Sequence, residues 1–159
     1  FDLGLGRQVL HHARDLTTLC AEVFRVLKPG GMFIAVRDHV ITSPGDLPAF
    51  LQSHPLHQLY GGEHAYQASQ YLDALQAAGF CIERMFRSLD SVINYAPHTR
   101  ESLREEFQRR LGRLPLGRIA GWGLNVELMF ALALAVSSRI DHRPGRLYSF
   151  VCRKPAIAN

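Results

Sequence analysis

The sequence predicts an α/β fold, because short apolar runs alternate with amphipathic helical segments along its 159 residues. Phe1–Leu5 is a short, mostly apolar run, and Met32–Val36 is a continuous one, which is typical of strands buried on both faces. Between them, apolar residues recur at helical spacing from Leu16 to Leu27. A strand, a helix and a second strand in this order indicate parallel strands joined by a right-handed crossover.

The predicted first helix has start and stop signals at its two ends. Asp15 is a preferred N-cap residue type. The apolar positions that follow fall on one helical face: Leu16, Leu19, Cys20, Val23, Phe24 and Leu27. The segment Lys28-Pro29-Gly30-Gly31 then places a cation in the last turn and glycines where the backbone reverses. We therefore expect the second strand to begin at Met32.

A second helix and strand are predicted after a polar loop. Ser69 is the expected N-cap of this helix, and Gly79 stands where a left-handed cap is needed. The apolar positions of the helix are Leu72, Leu75 and Ala78. Phe80–Phe86 predicts the next strand, and Ser91–Tyr95 predicts a further extended segment that continues it.

The last third of the chain predicts two helices and a final strand. Thr99–Leu111 is a charged amphipathic segment that begins with a capping-box-like Thr99 and Ser102. Ile119–Ile140 is dense in apolar residues but carries Asn125, Glu127, Ser137, Ser138 and Arg139, which are costly in lipid. It therefore predicts a buried helix rather than a membrane span. Arg146–Cys152 alternates between two faces like a strand.

The net charge of +4 comes largely from one stretch of the chain. Between Pro97 and Arg118, six arginines accompany three glutamates. The glutamates interleave with the arginines, and Glu101, Glu105 and Arg109 have the spacing of intrahelical pairs. Phe107 is the single aromatic residue of this stretch, so the repeated aromatic interleaving used for base stacking is absent from it. We interpret the stretch as a solvated helix face and not as a nucleic-acid interface.

The three cysteines, Cys20, Cys81 and Cys152, are odd in number and far apart, without any Cys-x-x-Cys spacing. This pattern argues against a disulfide framework and against a zinc site built on thiolates. Free thiols fit a reducing compartment, so the sequence predicts a cytoplasmic protein. The chain begins Phe1-Asp2-Leu3 without a Met or a cleavable signal, so we expect that residue 1 is not a natural start.

Polar residues follow each predicted strand at its carboxyl end, where open α/β sheets bind ligands. After the first strand come Gly6, Arg7 and Gln8, with His11 and His12 close behind; after the second come Arg37, Asp38 and His39; after the third come Asn94 and Tyr95. A strand must end in something polar, so each group by itself is compatible with a structural role. Together they predict one functional rim.

Four residues within eleven positions raise the question of a metal site: His54, His57, Glu63 and His64. Pro55 interrupts the helical spacing of the two leading histidines, and no strong zinc pattern matches. We therefore predict no metal site here. A loop packed over the substrate is favoured, with Tyr60 and Glu63 as substrate-binding residues, because the paired glycines Gly61 and Gly62 allow close backbone approach.

Four segments resemble parts of the second half of class I S-adenosylmethionine-dependent methyltransferases. Gln8–His12 reads QVLHH and resembles the motif that ends the fourth strand of that family. Glu22–Ile34, which contains RVLKPGG, resembles its turn into the fifth strand. Tyr71–Phe80 is similar to the helix before the sixth strand, and Arg146–Val151 to the antiparallel last strand. These motifs are specific for the family and do not indicate the substrate.

The resemblance implies a Rossmann-like methyltransferase fold of which residues 1–159 form the C-terminal part. The chain would supply strands 4-5-7-6, with a helical insertion at about residues 97–145 before the last strand. The implied activity is methyl transfer from S-adenosylmethionine to a small-molecule acceptor. No membrane partner is implied.

The resemblance also assigns expected roles to individual residues. The cofactor-binding residues would be Gly6, Arg7, Gln8 and His12, which match the loop beside the methionine part of the cofactor and its closing histidine. Arg37, Asp38 and His39 match the substrate-facing end of the family's fifth strand. The residue pattern described above, and not the resemblance, adds Tyr60, Glu63, Asn94 and Tyr95 as candidate substrate-binding residues. His39 and His12 are the candidate catalytic bases, because an imidazole ordinarily titrates in the required range if the acceptor must lose a proton.

Two features of the family are absent from the sequence: the glycine-rich loop after its first strand and the acidic residue that ends its second. Gly4-Leu5-Gly6 does not replace the loop, because no third glycine opens a helix after it. We therefore expect a fragment of a longer enzyme, a truncated gene or a chain that needs a partner half. The alternative is a degenerate, non-catalytic half-domain that acts as a binding module.

Overall fold

The computed structural model describes residues 1–60, 62–115 and 117–156 and divides the chain into two compact units. The sheet unit consists of Phe1–Phe86 and His142–Asn159. The helical unit consists of Arg87–Asp141. The helical unit thus interrupts the sheet unit just before its last strand, in the region where the sequence predicts an insertion.

The sheet unit contains five strands and four helices among its described residues. The strands are β1 (Leu3–Arg7), β2 (Met32–Ile41), β3 (Tyr66–Gln67), β4 (Cys81–Phe86) and β5 (Arg146–Arg153). The helices are α1 (Leu16–Val26), α2 (Leu47–Ser53), α3 (Pro55–Tyr60) and α4 (Ala68–Ala77), with short 3-10 turns at Leu10–His12 and Pro44–Asp46.

The strand order is β1-β2-β5-β4, and β3 adds a short parallel pairing at the end of β2. β1 and β2 run parallel, with Leu3 opposite Met32 and Arg7 opposite Val36. β5 lies antiparallel between β2 and β4. This order and these directions confirm the predicted α/β fold class and the expected 4-5-7-6 half sheet.

The crossover from β1 to β2 follows the predicted signals. The carboxylate of Asp15 accepts a hydrogen bond from the amide of Thr18 at 2.9 Å and so caps α1. Gly30 has φ +79° in the turn that follows the helix. The buried core between the helices and the sheet includes Cys20, Phe33, Ala35, Tyr71, Leu75, Phe150 and Cys152.

β2 is twice as long as the predicted strand, which corrects the expectation that it ends at Val36. Asp38, His39 and Val40 continue the strand because they pair with Tyr148, Leu147 and Arg146 of β5. The register shifts between Ala35 and Asp38, where Arg37 adopts φ +63°. The segment predicted to follow the strand is therefore a β-bulge inside it, a feature that re-aims side chains.

The predicted start of α4 is wrong by two residues. Gln67, rather than Ser69, is the N-cap, and its amide donates to the Oε1 atom of Gln70 at 2.8 Å. The predicted end is confirmed, because Gly79 has φ +103°.

The helical unit contains α5 (Val92–Tyr95), α6 (Arg100–Leu111), α7 (Gly117–Gly123) and α8 (Glu127–Ile140). Thr99 and Ser102 form the predicted capping box of α6. The arginines of α6 are paired within the unit: Arg100 and Arg104 with Glu127, and Arg109 and Arg110 with Glu106. The core of the unit consists of Tyr95, Leu103, Leu124, Phe130 and Leu134.

Two predicted elements of this unit are wrong. Ser91–Tyr95 is not extended, because the side chain of Ser91 caps the short helix α5. Ile119–Ile140 is not one buried helix but parts of α7 and α8, which meet at an angle of 109°. Trp122 and Leu128 are about three-quarters exposed. Among the described residues no single helix is long and apolar enough to cross a bilayer, although α7 and α8 together reach the required length and composition.

Candidate functional site

The end of β1 leads into a tight turn that carries two adjacent histidines. The amide of Gln8, which has φ +54°, donates to the carbonyl of Val36 at 2.9 Å and ties the turn to β2. The 3-10 turn Leu10–His12 follows, with His11 buried and His12 exposed. A left-handed residue other than glycine is uncommon, and Gln8 and Arg37 are the ones found in the described chain. Both lie at this rim of the sheet.

Asp38 anchors His11. The Oδ1 atom of Asp38 lies 3.0 Å from Nδ1 of His11 and accepts the backbone amide of His11 at 3.3 Å. Because an ionised carboxylate can only accept, the Nδ1 nitrogen carries the proton of this contact. Both side chains are almost completely buried, and a buried carboxylate needs partners of this kind. At the bulge, the amide of Arg37 donates to Oγ of Ser149 at 3.2 Å.

Glu63 approaches both histidines from the loop that precedes β3. Its Oε2 atom lies 3.1 Å from Nδ1 of His12 and 3.7 Å from Nε2 of His11. Only 7% of the Glu63 side chain is exposed. The loop between α3 and β3 therefore folds back over the turn after β1, and three potential ligand atoms lie within 4.8 Å of one another.

His39 lies beside this cluster in a defined tautomer. Its Nδ1 nitrogen is 2.8 Å from the carbonyl oxygen of Gly145, which can only accept, so Nδ1 carries the proton and Nε2 is left as an acceptor. The ring is edge-on to that of His11, with centroids 4.7 Å apart. Burial lowers the pKa of His39 to about 4, so the expectation that this residue titrates near neutral pH is wrong.

The structure brings together several of the residues that the sequence predicts for the rim: His12, Asp38, His39 and Glu63 lie in one cluster, with Gly6 buried at the end of β1 and Gln8 in the turn beyond it. Arg7 is exposed, and Arg37 is half-buried in the bulge. Burial and the nearby charge of Arg7 lower the pKa of Arg37, which indicates that the two guanidinium groups lie close enough to repel each other.

Three predicted substrate residues lie outside this cluster. Tyr60 ends α3 and is 83% exposed. Asn94 and Tyr95 belong to the helical unit: the Nδ2 atom of Asn94 donates to the carbonyl of Arg87 at 2.9 Å, and Tyr95 is part of the core of that unit. Their roles in substrate binding stay predictions.

His11 occupies the centre of the cluster, although the sequence pattern assigns it no role of its own. The available signal was the pair of consecutive histidines directly after a strand, of which only His12 received a role. Glu63 was grouped with His54, His57 and His64 because they are close in sequence. In the folded chain its carboxylate also faces His11 and His12, which are far from it in sequence.

Comparison with known proteins confirms the resemblance to class I methyltransferases. The family described as "Methyltransferase domain" matches residues 1–35. A curated protein of Mycolicibacterium smegmatis, named "Probable S-adenosylmethionine-dependent methyltransferase", is 34% identical over 83 residues, which are 52% of this chain and 29% of that protein.

Solved structures share the fold. The [4+2]-cyclase SpnF aligns with a TM-score of 0.51 and 24% identity over 98% of this chain and 50% of its own. Geranyl diphosphate C-methyltransferase from Streptomyces coelicolor, solved with Mg²⁺, geranyl-S-thiolodiphosphate and S-adenosyl-L-homocysteine, aligns with a TM-score of 0.54 and 15% identity over 96% of this chain and 45% of its own. The chain thus spans about half the length of these structures and under a third of the curated relative. One of the two is named as a cyclase, in keeping with the rule that a fold does not determine its reaction.

Proposed function

We propose that the chain is the C-terminal part of an S-adenosylmethionine-dependent methyltransferase that acts on a small-molecule acceptor. The strand order and strand directions of the sheet unit are those expected for that half of the fold. The observation that carries this proposal is the position of the family's histidine motif. The turn after β1, which lies within the family match at residues 1–35, borders the bulge in β2 at the edge where the parallel pairing of β1 with β2 ends. That edge is where open α/β sheets bind ligands.

The rim has groups that fit the methionine part of S-adenosylmethionine, which carries a carboxylate. Arg7 and Arg37 lie close enough for the charge of Arg7 to lower the pKa of Arg37, so together they attract an anion. Gly6 is buried against the ring of Phe33, and Gln8 is held in place through its amide. We assign Gly6, Arg7, Gln8 and His12 to this part of the cofactor.

The cofactor, when bound, would supply an activated methyl group on a sulfonium sulfur. Transfer of such a group is an in-line displacement, so the protein mainly aligns the acceptor and excludes water. His39 presents Nε2 as a hydrogen-bond acceptor, because Gly145 holds its other nitrogen. We propose that His39 orients the acceptor by accepting a hydrogen bond from its reacting proton. Arg37, Asp38 and Glu63 would line the adjacent part of the acceptor site. His12 is the second candidate base.

The remainder of the cofactor site would come from the N-terminal half of the fold. β1 forms one edge of the sheet, and its Leu3 and Leu5 are 54% and 69% exposed. Apolar edge strands are normally covered. We propose that a strand of the missing half pairs with β1, from the same polypeptide or from a partner chain. The free cysteines support placing this enzyme in the cytoplasm.

The test is a calorimetric titration of S-adenosylmethionine into the 159-residue chain and into the complete gene product that contains it. We expect the complete product to bind the cofactor and to release S-adenosylhomocysteine in the presence of its acceptor, and the 159-residue chain to bind only weakly. A complete product without affinity for the cofactor contradicts the proposed function. Tight binding by the 159-residue chain contradicts the proposal that half of the site is supplied from elsewhere.

A further inference from the structure

Three nitrogen and oxygen atoms from two distant segments converge at the end of β1. Nε2 of His11 and Nδ1 of His12 lie 3.7 and 3.1 Å from the same oxygen of Glu63. In a tetrahedral zinc site, with ligands about 2.05 Å from the ion, neighbouring ligand atoms lie about 3.3 Å apart. The two distances bracket this value, and all three atoms lie within 4.8 Å of one another.

A hydrogen-bonded cluster does not account for this arrangement. The separation of 3.7 Å is too long for a hydrogen bond between His11 and Glu63. Among the described residues, the Oε2 atom of Glu63 is buried without any hydrogen-bond partner, even though His12 is only 3.1 Å away. A buried carboxylate oxygen without a donor is costly, and a cation bound beside Glu63 would offset that cost.

The orientation of His11 is the one that a metal ligand requires. Asp38 holds Nδ1–H through its Oδ1 atom and also accepts the backbone amide of His11. The proton is thereby kept on Nδ1, and the lone pair of Nε2 faces Glu63. In many metal sites a carboxylate accepts the ring N–H of a ligating histidine. This contact fixes the tautomer and the orientation of the ring and makes its other nitrogen a stronger metal ligand.

From this geometry we propose that His11, His12 and Glu63 form a binding site for a divalent transition-metal ion, with Zn²⁺ as the best match. Imidazole nitrogens favour zinc and its neighbours over Mg²⁺ and Ca²⁺, which prefer sites made of oxygen atoms. Three protein ligands leave one position of a tetrahedral ion open, as in catalytic rather than structural zinc sites. Asp38 is the positioning residue of the site. The proposed site rests on its own geometry and not on the proposed methyl transfer; with the ion bound, His12 is a ligand and does not act as the base.

The test is a titration of the 159-residue chain, free of any affinity tag and treated with EDTA, with Zn²⁺ in a calorimeter and with Co²⁺ in a spectrophotometer. We expect one tightly bound Zn²⁺ that excess Mg²⁺ does not displace. We also expect Co²⁺ to give the visible absorption of a low-coordinate ion. No methyl donor is present, so the result is independent of the proposed function.

Four variants identify the ligands. Glu63→Gln keeps the shape of the side chain and removes its charge, and His12→Ala changes a side chain that is 45% exposed, so both are expected to fold. Each is expected to lower Zn²⁺ affinity by about 100-fold or more. The loss of a metal ligand should reduce the affinity at least as much as the loss of a residue that hydrogen-bonds to a ligand. Asp38→Asn lowers the affinity by about 10-fold to 100-fold and leaves the stoichiometry unchanged. His98→Ala, at an exposed histidine of the helical unit, is the matched control and leaves the affinity unchanged.

Circular dichroism confirms that each variant is folded before titration. The proposal is overturned if the unmodified chain binds no stoichiometric Zn²⁺. It is equally overturned if folded Glu63→Gln and His12→Ala bind Zn²⁺ as tightly as the unmodified chain does.

Discussion

The carboxylate of Asp38 lies 3.0 Å from Nδ1 of His11, although 27 residues separate the two in sequence and both side chains are almost completely buried. This contact joins the bulge in β2 to the turn after β1. It therefore holds the end of β1 against the part of β2 where their parallel pairing ends, which is where the candidate site lies. Its strength can be measured independently of any ligand.

Replacing Asp38 tests this contact. Asp38→Ala removes the acceptor of two hydrogen bonds from His11 and leaves a buried histidine without its partner. Removal of one member of a buried pair costs about 3 kcal/mol in the free energy of unfolding. Urea denaturation followed by circular dichroism, in the presence of EDTA, measures the change.

The matched control is Glu22→Ala, which removes a carboxylate that pairs with Arg25 on the exposed surface of α1. An exposed pair of this kind contributes less than about 1 kcal/mol. Equal losses of stability in the two variants would show that the contact between Asp38 and His11 does not hold the site together.

Gly79 tests the end of α4. This residue has φ +103°, and a Cβ atom there would lie 3.0 Å from the ring of Phe24. Gly79→Ala is therefore expected to lower the free energy of unfolding by about 1 to 2 kcal/mol, because a left-handed backbone and a close contact act together. Gly45→Ala, at a glycine whose nearest contact is Oγ of Ser43 at 3.6 Å, should change it by about 0.5 kcal/mol or less. Urea titrations that give the same result for both variants would contradict the geometry of this turn.

The three cysteines should differ in reactivity. Burial raises the pKa of Cys20 to about 11 and that of Cys152 to about 12, whereas Cys81 is exposed. A thiol is unreactive while it is protonated. Because pH 8 lies below the raised pKa values of the two buried thiols, they stay protonated and resist alkylation. Mass spectrometry after iodoacetamide treatment should find a single label, on Cys81, in the folded chain and labels on all three cysteines in urea. Labelling of Cys20 or Cys152 at the rate of Cys81 would contradict their burial.

Arg7 tests the cofactor side of the rim. In the complete gene product, Arg7→Gln should lower the affinity for S-adenosylmethionine by about 10-fold, which corresponds to the loss of one charge-assisted contact to its carboxylate. Arg118→Gln, at an exposed arginine of the helical unit, should have no effect on the affinity. Calorimetry measures the affinity of both variants for S-adenosylmethionine. An unchanged affinity for Arg7→Gln would remove Arg7 from the proposed cofactor site.

Local patterns in the sequence predict most of the sheet unit. The cap at Asp15 and the helical spacing up to Leu27 define α1 because they depend only on neighbouring residues. Gly79 ends α4 for the same reason. The apolar run that begins at Met32 predicts the start of β2. The order of the strands is predicted by the resemblance of the sequence to a known family.

The extent of β2 could not be predicted in this way. Asp38 and His39 are polar and ionisable, so by themselves they indicate the end of a strand. They continue the strand because β5, more than a hundred residues later, supplies backbone partners for them. The pairing energy of a distant strand is absent from any local pattern, and the same holds for the bend between α7 and α8.

The sequence by itself determined the fold class, the first crossover and the histidine motif that follows β1, because each depends on residues close together in the chain. Only the tertiary structure decided that Glu63 belongs with His11 and His12. It also decided that His39 is too buried to titrate near neutral pH. Both outcomes depend on which segments pack against one another, since chain folding sets the distances between distant donors and removes water from a side chain.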